Sequence, residues 1–167
     1  IHDPHAQTLT AVLTVTHPAF VLLDPSEQER RVTGWGRVLA TCCRSGRLAR
    51  VQVLERTLPD SGSGLAEWWS EHGRADGSWT STVYVELIDR AGPAGERHAT
   101  TLSVALDMRA AARAIRTAGG GMKGAAAVLR QEMTTLSAAL RAADLTPSEW
   151  AGPGEIAVML RSAYDPA

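Results

Sequence analysis

From Met122 onward the apolar positions Met122, Ala125, Leu129, Met133, Leu136, Leu140 and Ala143 step by three and four, the spacing that lines one face of an α-helix. A helix of that length cannot hide its apolar stripe alone and needs a second layer to cover it. Two segments supply that layer. Leu9, Ala11, Leu13 and Val15 alternate with Thr8, Thr10, Val12 and Thr14, and Leu102, Val104 and Leu106 alternate with Thr101, Ser103 and Ala105, the period of a half-buried strand. The fold class that satisfies both patterns is α+β.

The remaining segments fill in this outline. His17-Pro18 turns the first strand, and Phe20 to Leu23 either pairs back as a hairpin arm or delivers the chain to a helix. Asp24-Pro25-Ser26-Glu27 starts that helix: Asp24 can cap free N–H groups, Pro25 suits the first turn, and Glu27 stands three residues after the cap. Its apolar face is expected at Val32, Trp35, Leu39 and Cys42, and its end near Ser45-Gly46. A strand over Ala49 to Leu58 follows, closed by Pro59-Asp60-Ser61-Gly62, and this β-α-β order favours two neighbouring strands with the helix crossing one face.

Leu65, Ala66, Trp68 and Trp69 suggest a short helix to His72, and Gly73 to Ser78 a polar connection. Tyr84, Leu87 and Ile88 fit another short helix broken at Ala91-Gly92-Pro93, although Val83 and Val85 suit a strand equally. Arg109 to Thr117 reads as helix. Gly119-Gly120-Gly121 interrupts it, since each glycine costs about 1 kcal/mol relative to alanine in a helix. A last helix is expected over Glu155 to Ala163, with Ile156, Met159 and Leu160 inward. The sum is a mixed sheet of three to four strands backed by several helices, one domain over residues 1–167. Its expected core is Leu13, Val15, Trp35, Leu39, Val53, Leu102, Val104, Leu129, Met133, Leu136 and Leu140.

Composition narrows the function classes. Seventeen Lys and Arg against eighteen Asp and Glu leave a formal net charge of -1, with no long-range field to gather phosphate backbones or anionic lipid, so nucleic acid is not an expected partner. A hydrophobic fraction of 44% with 21% charged residues suits a soluble globular domain. No run approaches the roughly 20 apolar residues of a bilayer span. The start at Ile1-His2-Asp3-Pro4-His5 and the stop at Asp165-Pro166-Ala167 look like a domain excised from a longer polypeptide. Cys42 and Cys43 are adjacent, and on a helix they diverge by about 100°, which disfavours a bridge between them.

The search for chemistry finds no catalytic, cofactor-binding or metal-ligating set. The five histidines, among them His72 and His98, have no HxxxH or HExxH spacing and no cysteine placed to complete a zinc site. Ser61-Gly62-Ser63-Gly64 lacks the G-x-S-x-G pattern, and turn chemistry explains it. The carboxylates Glu27, Glu29, Glu67, Glu71, Glu86 and Asp89 fall on helices among arginines, as on a solvated face. Arg116-Thr117-Ala118-Gly119-Gly120-Gly121 matches R-x-x-G-x-G, the acyl-coenzyme A pyrophosphate loop of acetyltransferases, where backbone N–H groups and a helix start hold phosphate. In those enzymes the loop follows directly on a strand. Here a helix-forming stretch separates Asp107 from Arg116, which favours a glycine hinge between helices. Trp68, Trp69 and Trp79 lie in a stretch of weak periodicity: core packing is the plain reading, and an aromatic protein-binding patch the functional one.

The succession Trp35-Gly36 through Leu39-Ala40, Val53-Leu54-Glu55-Arg56-Thr57-Leu58-Pro59-Asp60, Ala91-Gly92-Pro93 with His98, Ala111 to Gly121, and Leu160-Arg161-Ser162-Ala163-Tyr164-Asp165-Pro166 resembles an actinobacterial membrane-protein family. Its members are encoded with PrgI-like proteins and a VirB-type ATPase in conjugation- or secretion-type loci. The chain is also distantly similar to EccE-type components of type VII secretion. The resemblance implies a domain facing the cytoplasm, anchored by transmembrane helices elsewhere in the full-length protein. It further implies a non-catalytic docking role among the proteins of a membrane transport assembly, an ATPase among them, and it carries no catalytic residue. An acetyltransferase-like enzyme using the Arg116 to Gly121 loop is the alternative, and a regulatory domain whose sheet binds a small ligand is a third reading.

Overall fold

A computed structural model describes residues 1–17, 20–60, 63–74, 76–91 and 95–165. The turns expected at Pro18, at Ser61-Gly62 and at Gly92-Pro93 lie outside the described residues, as does Pro166. In order, the elements are β1 (His2–Asp3), β2 (Thr8–Thr16), a 3-10 turn (Phe20–Leu22), α1 (Pro25–Arg44), β3 (Leu48–Asp60), α2 (Ser63–His72), α3 (Trp79–Ala91), β4 (Gly95–Asp107), α4 (Ala112–Thr117), α5 (Gly121–Ala142), β5 (Thr146–Trp150) and α6 (Pro153–Arg161). The α+β class is present, with a five-stranded antiparallel sheet where three to four strands were expected. The chain forms two compact units, Ile1–Leu54 with Thr100–Ala157 and Glu55–Ala99 with Val158–Ala167.

The first unit is built on β2. It pairs antiparallel with β4 in a register that sets Leu9 opposite Leu106, Ala11 opposite Val104 and Leu13 opposite Leu102, so the inward residues of both strands share one face. The strand order is β1-β2-β4-β3, with β5 also beside β2. The β-α-β expectation is thereby corrected: β2 and β3 are not neighbours, because β4 inserts between them. Helix α5 covers the apolar face with Ala125, Val128, Leu129, Leu136 and Leu140 buried. Leu13, Val104, Leu106 and Leu140 have no exposed surface at all.

Helix α1 begins as its sequence requires. Asp24 accepts the Glu27 N–H at 2.9 Å and the Ser26 hydroxyl at 2.7 Å. Glu27 does not return the favour of a capping box; its carboxylate takes Arg30 and Arg31 instead. The buried face is also rotated from the expected one. Val38 and Cys42 are buried and Trp35 partly so, whereas Val32 and Leu39 are exposed. Gly34 is the cause: a Cβ there would lie 3.1 Å from the Ala143 Cβ. The backbone of α1 therefore meets the end of α5 at a residue that apolar pattern reading passes over. Val53, Leu160 and Met122 likewise stand at least 45% exposed, against expectation.

Strand β5 was not anticipated. Its residues, Thr-Pro-Ser-Glu-Trp, carry no alternation, and their pairing depends on partners distant in sequence: Ser148 Oγ accepts the Thr14 N–H at 3.0 Å and Trp150 Nε1 donates to Ser137 Oγ at 3.1 Å.

In the second unit α2 packs against α3. Ile88 is the buried hydrophobic side chain among its described residues. Arg56 donates to Met159 O at 3.1 Å and to Ser162 Oγ at 2.9 Å, at the end of α6.

Candidate functional site: the aromatic surface of α2 and α3

Trp68 and Trp69 are consecutive on α2 and so diverge by about 100°. They serve different ends. Trp69 is half-buried and packs on Tyr84 of α3, with ring centroids 4.4 Å apart and planes tilted by 30°, a pairing that holds the two helices together. Gly73 is part of this arrangement. A Cβ there would lie 2.5 Å from Trp69 O and 2.6 Å from its indole ring, and the Gly73 N–H donates to that same carbonyl at 2.7 Å.

Trp68 keeps half its surface in solvent and stacks on His72, one turn ahead, at 5.1 Å and 12°. His72 Nδ1 lies 3.0 Å from Trp68 O. Trp79, at the first turn of α3, is 80% exposed. The preceding residues form a polar turn: Ser78 receives the Ser81 N–H on its hydroxyl and donates its own N–H to Asp76, and hydrogen bonding from the Ser78 side chain first, then from its N–H, holds the Asp76 carboxyl below the usual range. Gly77 takes a left-handed φ of 67° in this turn.

The three tryptophans expected to form one patch are thus not brought together as a ring cluster. Trp69 is structural, and Trp68 and Trp79 face solvent. What sequence reading missed is the apolar company of the exposed pair. Leu65, Tyr84, Val85 and Leu87 all stand at least 40% exposed on the same two helices. Leu65 and Trp68 are spaced by three, a signal available in the sequence but overshadowed by the adjacent tryptophans.

Elsewhere the expected chemistry is sparse. Among the described residues no three His, Cys, Asp or Glu side chains converge to hold a metal. His98 lies 3.3 Å from Thr57 Oγ and 3.8 Å from Glu55. Cys42 is buried and Cys43 exposed, both free, and burial pushes the Cys42 thiol up. Glu27 is held below the usual carboxylate range, first by Arg30 and then by Arg31, so one carboxylate of the solvated face is perturbed after all. Its partners make it part of the α1 N-terminal ion pairs, where Arg30 also meets Asp144.

The glycine loop closes α4. Gly119 N–H donates to Arg116 O and Gly120 N–H to Ile115 O at 2.8 Å, the paired bonds of a Schellman ending. Those two N–H groups are committed to the helix end and face no ligand. Gly119, Gly120 and Gly121 all have positive φ.

No family model, curated protein or solved structure matches this chain. No helix among the described residues is long and apolar enough to cross a membrane.

Proposed function

We propose that this chain is a non-catalytic protein-docking domain of a cell-envelope secretion or conjugation apparatus, held at the membrane by segments of the full-length protein. The observation that supports docking is the side-chain content of α2 and α3. Two short helices carry Leu65, Trp68, Trp79, Tyr84, Val85 and Leu87 exposed, with Ile88 as their buried anchor. Isolated helices of this length gain little stability without a tertiary partner. Exposed Trp and Tyr beside aliphatic side chains are the groups that concentrate binding energy at protein interfaces. The apparatus itself is proposed from the resemblance to proteins of secretion- and conjugation-type loci, with a cytoplasmic orientation and a transport ATPase among the partners.

The test separates docking from folding. Trp79→Ser and Trp68→Ser remove exposed rings and should leave the melting temperature within a few degrees, while weakening binding to the co-encoded transport proteins by about tenfold or more. Trp69→Ser should unfold the α2–α3 pair. If Trp79→Ser and Trp68→Ser bind those proteins as well as the parent chain does, the surface is not the docking site.

A further inference from the structure

A concave surface lies in the first unit. It is a groove of about 600 Å³ with Arg47, Arg113, Thr117 and Gln131 on its polar side and Ala114 and Val128 among its apolar lining. Three observations define what it would accept.

The first is local charge. From Met108 to Gln131 the chain carries five cations, Arg109, Arg113, Arg116, Lys123 and Arg130, and no carboxylate. The net charge of the whole chain conceals this asymmetry.

The second is that the carboxylates flanking this stretch are occupied. Asp107 accepts the N–H groups of Arg109 at 2.8 Å and Ala110 at 3.0 Å. Glu132 is buried and receives Arg47 Nη1 at 3.2 Å. That single bond leaves most of the Arg47 fork free to donate. The Arg113 guanidinium has no side-chain partner among the described residues.

The third is shape. The lining runs from Ala110 to Ala118 along α4, whose six residues rise about 9 Å, and continues on α5 from Ala127 to Gln131; Arg113, Thr117 and Gln131 are exposed. Small-molecule sites enclose most of their ligand. An open trough with small alanines along its length suits an extended strip of chain.

We propose that this groove docks an acidic peptide segment of a partner protein, with a Glu or Asp carboxylate received by Arg113 and Arg47 and small apolar residues lying on Ala114 and Val128. Guanidinium forks match carboxylates bidentately, which gives direction as well as attraction. The inference rests on the docking reading above for the class of occupant, and it assigns the chemistry of one partner.

The experiment titrates the 167-residue chain with a fluorescein-labelled peptide of alternating glutamate and alanine, read by anisotropy, with a lysine-alanine peptide as control. Saturable binding is expected that weakens as ionic strength rises. It should fall about fivefold or more in Arg113→Gln and in Gln131→Glu, which sets a repelling carboxylate in the groove, and stay within about twofold in Arg109→Gln, which lies outside it. Arg113 is exposed, so Arg113→Gln should melt with the parent chain. Absence of saturable binding overturns the proposal. So does an equal loss in Arg109→Gln and Arg113→Gln, which would mean diffuse basic attraction. Displacement of the peptide by equimolar inorganic phosphate would make this a small-anion site, and flotation of the chain with phosphatidylglycerol vesicles without peptide binding would make it a lipid contact; either result overturns the proposal. The aromatic surface is assayed separately through Trp79→Ser, so a negative result here leaves that reading standing.

Discussion

At the scale of single residues, most of the core was legible where a side chain alternates or steps regularly. Leu13, Val15, Leu102, Val104, Leu129, Leu136 and Leu140 were expected inside and are buried. Leu39 and Val53 were expected inside and are exposed. Leu39 lost its place to Val38 because Gly34, which has no hydrophobic signature, sets how α1 approaches Ala143. A paired measurement checks this. Leu136→Ala should destabilise by about 2–5 kcal/mol in chemical denaturation, whereas Leu39→Ala should cost less than about 1 kcal/mol.

Asp24 gives a second test. Its carboxyl is lowered first by the Ser26 hydroxyl and then by the Glu27 N–H, so the folded state prefers the charged form. That contribution is complete above the ordinary carboxylate pKa of about 4 and disappears as pH falls through the lower folded value. The Glu27 amide resonance should therefore report loss of the cap only in acid, and Asp24→Ala should remove that titration.

Helices were easier to read than strands, because capping and glycine signals are local whereas strand pairing is not. The start of α1, the α2 helix and the break before α5 were visible in the sequence, whereas α3 stood open between helix and strand until the structure decided it. β5 was not, since its hydrogen bonds to β2 are the only reason it is a strand. The candidate site was half legible: the tryptophans stood out, but their division into one structural ring and two exposed ones depends on Tyr84 and Gly73.

The α4–α5 junction carries the third prediction. Gly120 has φ 72° and ψ 175°, a combination essentially reserved to glycine, so Gly120→Ala should cost about 1–3 kcal/mol with no ligand involved. Calorimetry with acetyl-coenzyme A should show no saturable heat, because the Gly119 and Gly120 N–H groups are already spent on the end of α4. Micromolar binding abolished in a folded Lys123→Ala or Arg116→Ala variant would favour the acetyltransferase alternative.

For the molecule as a whole, the contiguous hydrophobic core belongs to the first unit, every member lying within Ile1–Leu54 or Thr100–Ala157. Replacing residues 55–99 with a flexible glycine-serine linker should therefore leave a cooperative unfolding transition whose midpoint reports the same core. A shift beyond about 2 kcal/mol would show that the first unit is not self-sufficient.

The pairing of β2 also sets an order in time. The strand precedes its long antiparallel partner β4 by α1, β3, α2 and α3, and the Thr14 to Ser148 bond joins residues 134 apart in the chain. Leu13 and Val15 have no β4 beside them until the residues from Thr100 to Leu102 have been made. Folding that waits on such distant contacts is slow, and an unpaired β-branched strand invites other chains meanwhile. The centre of the sheet is thus the segment whose pairing has to close over the longest stretches of sequence.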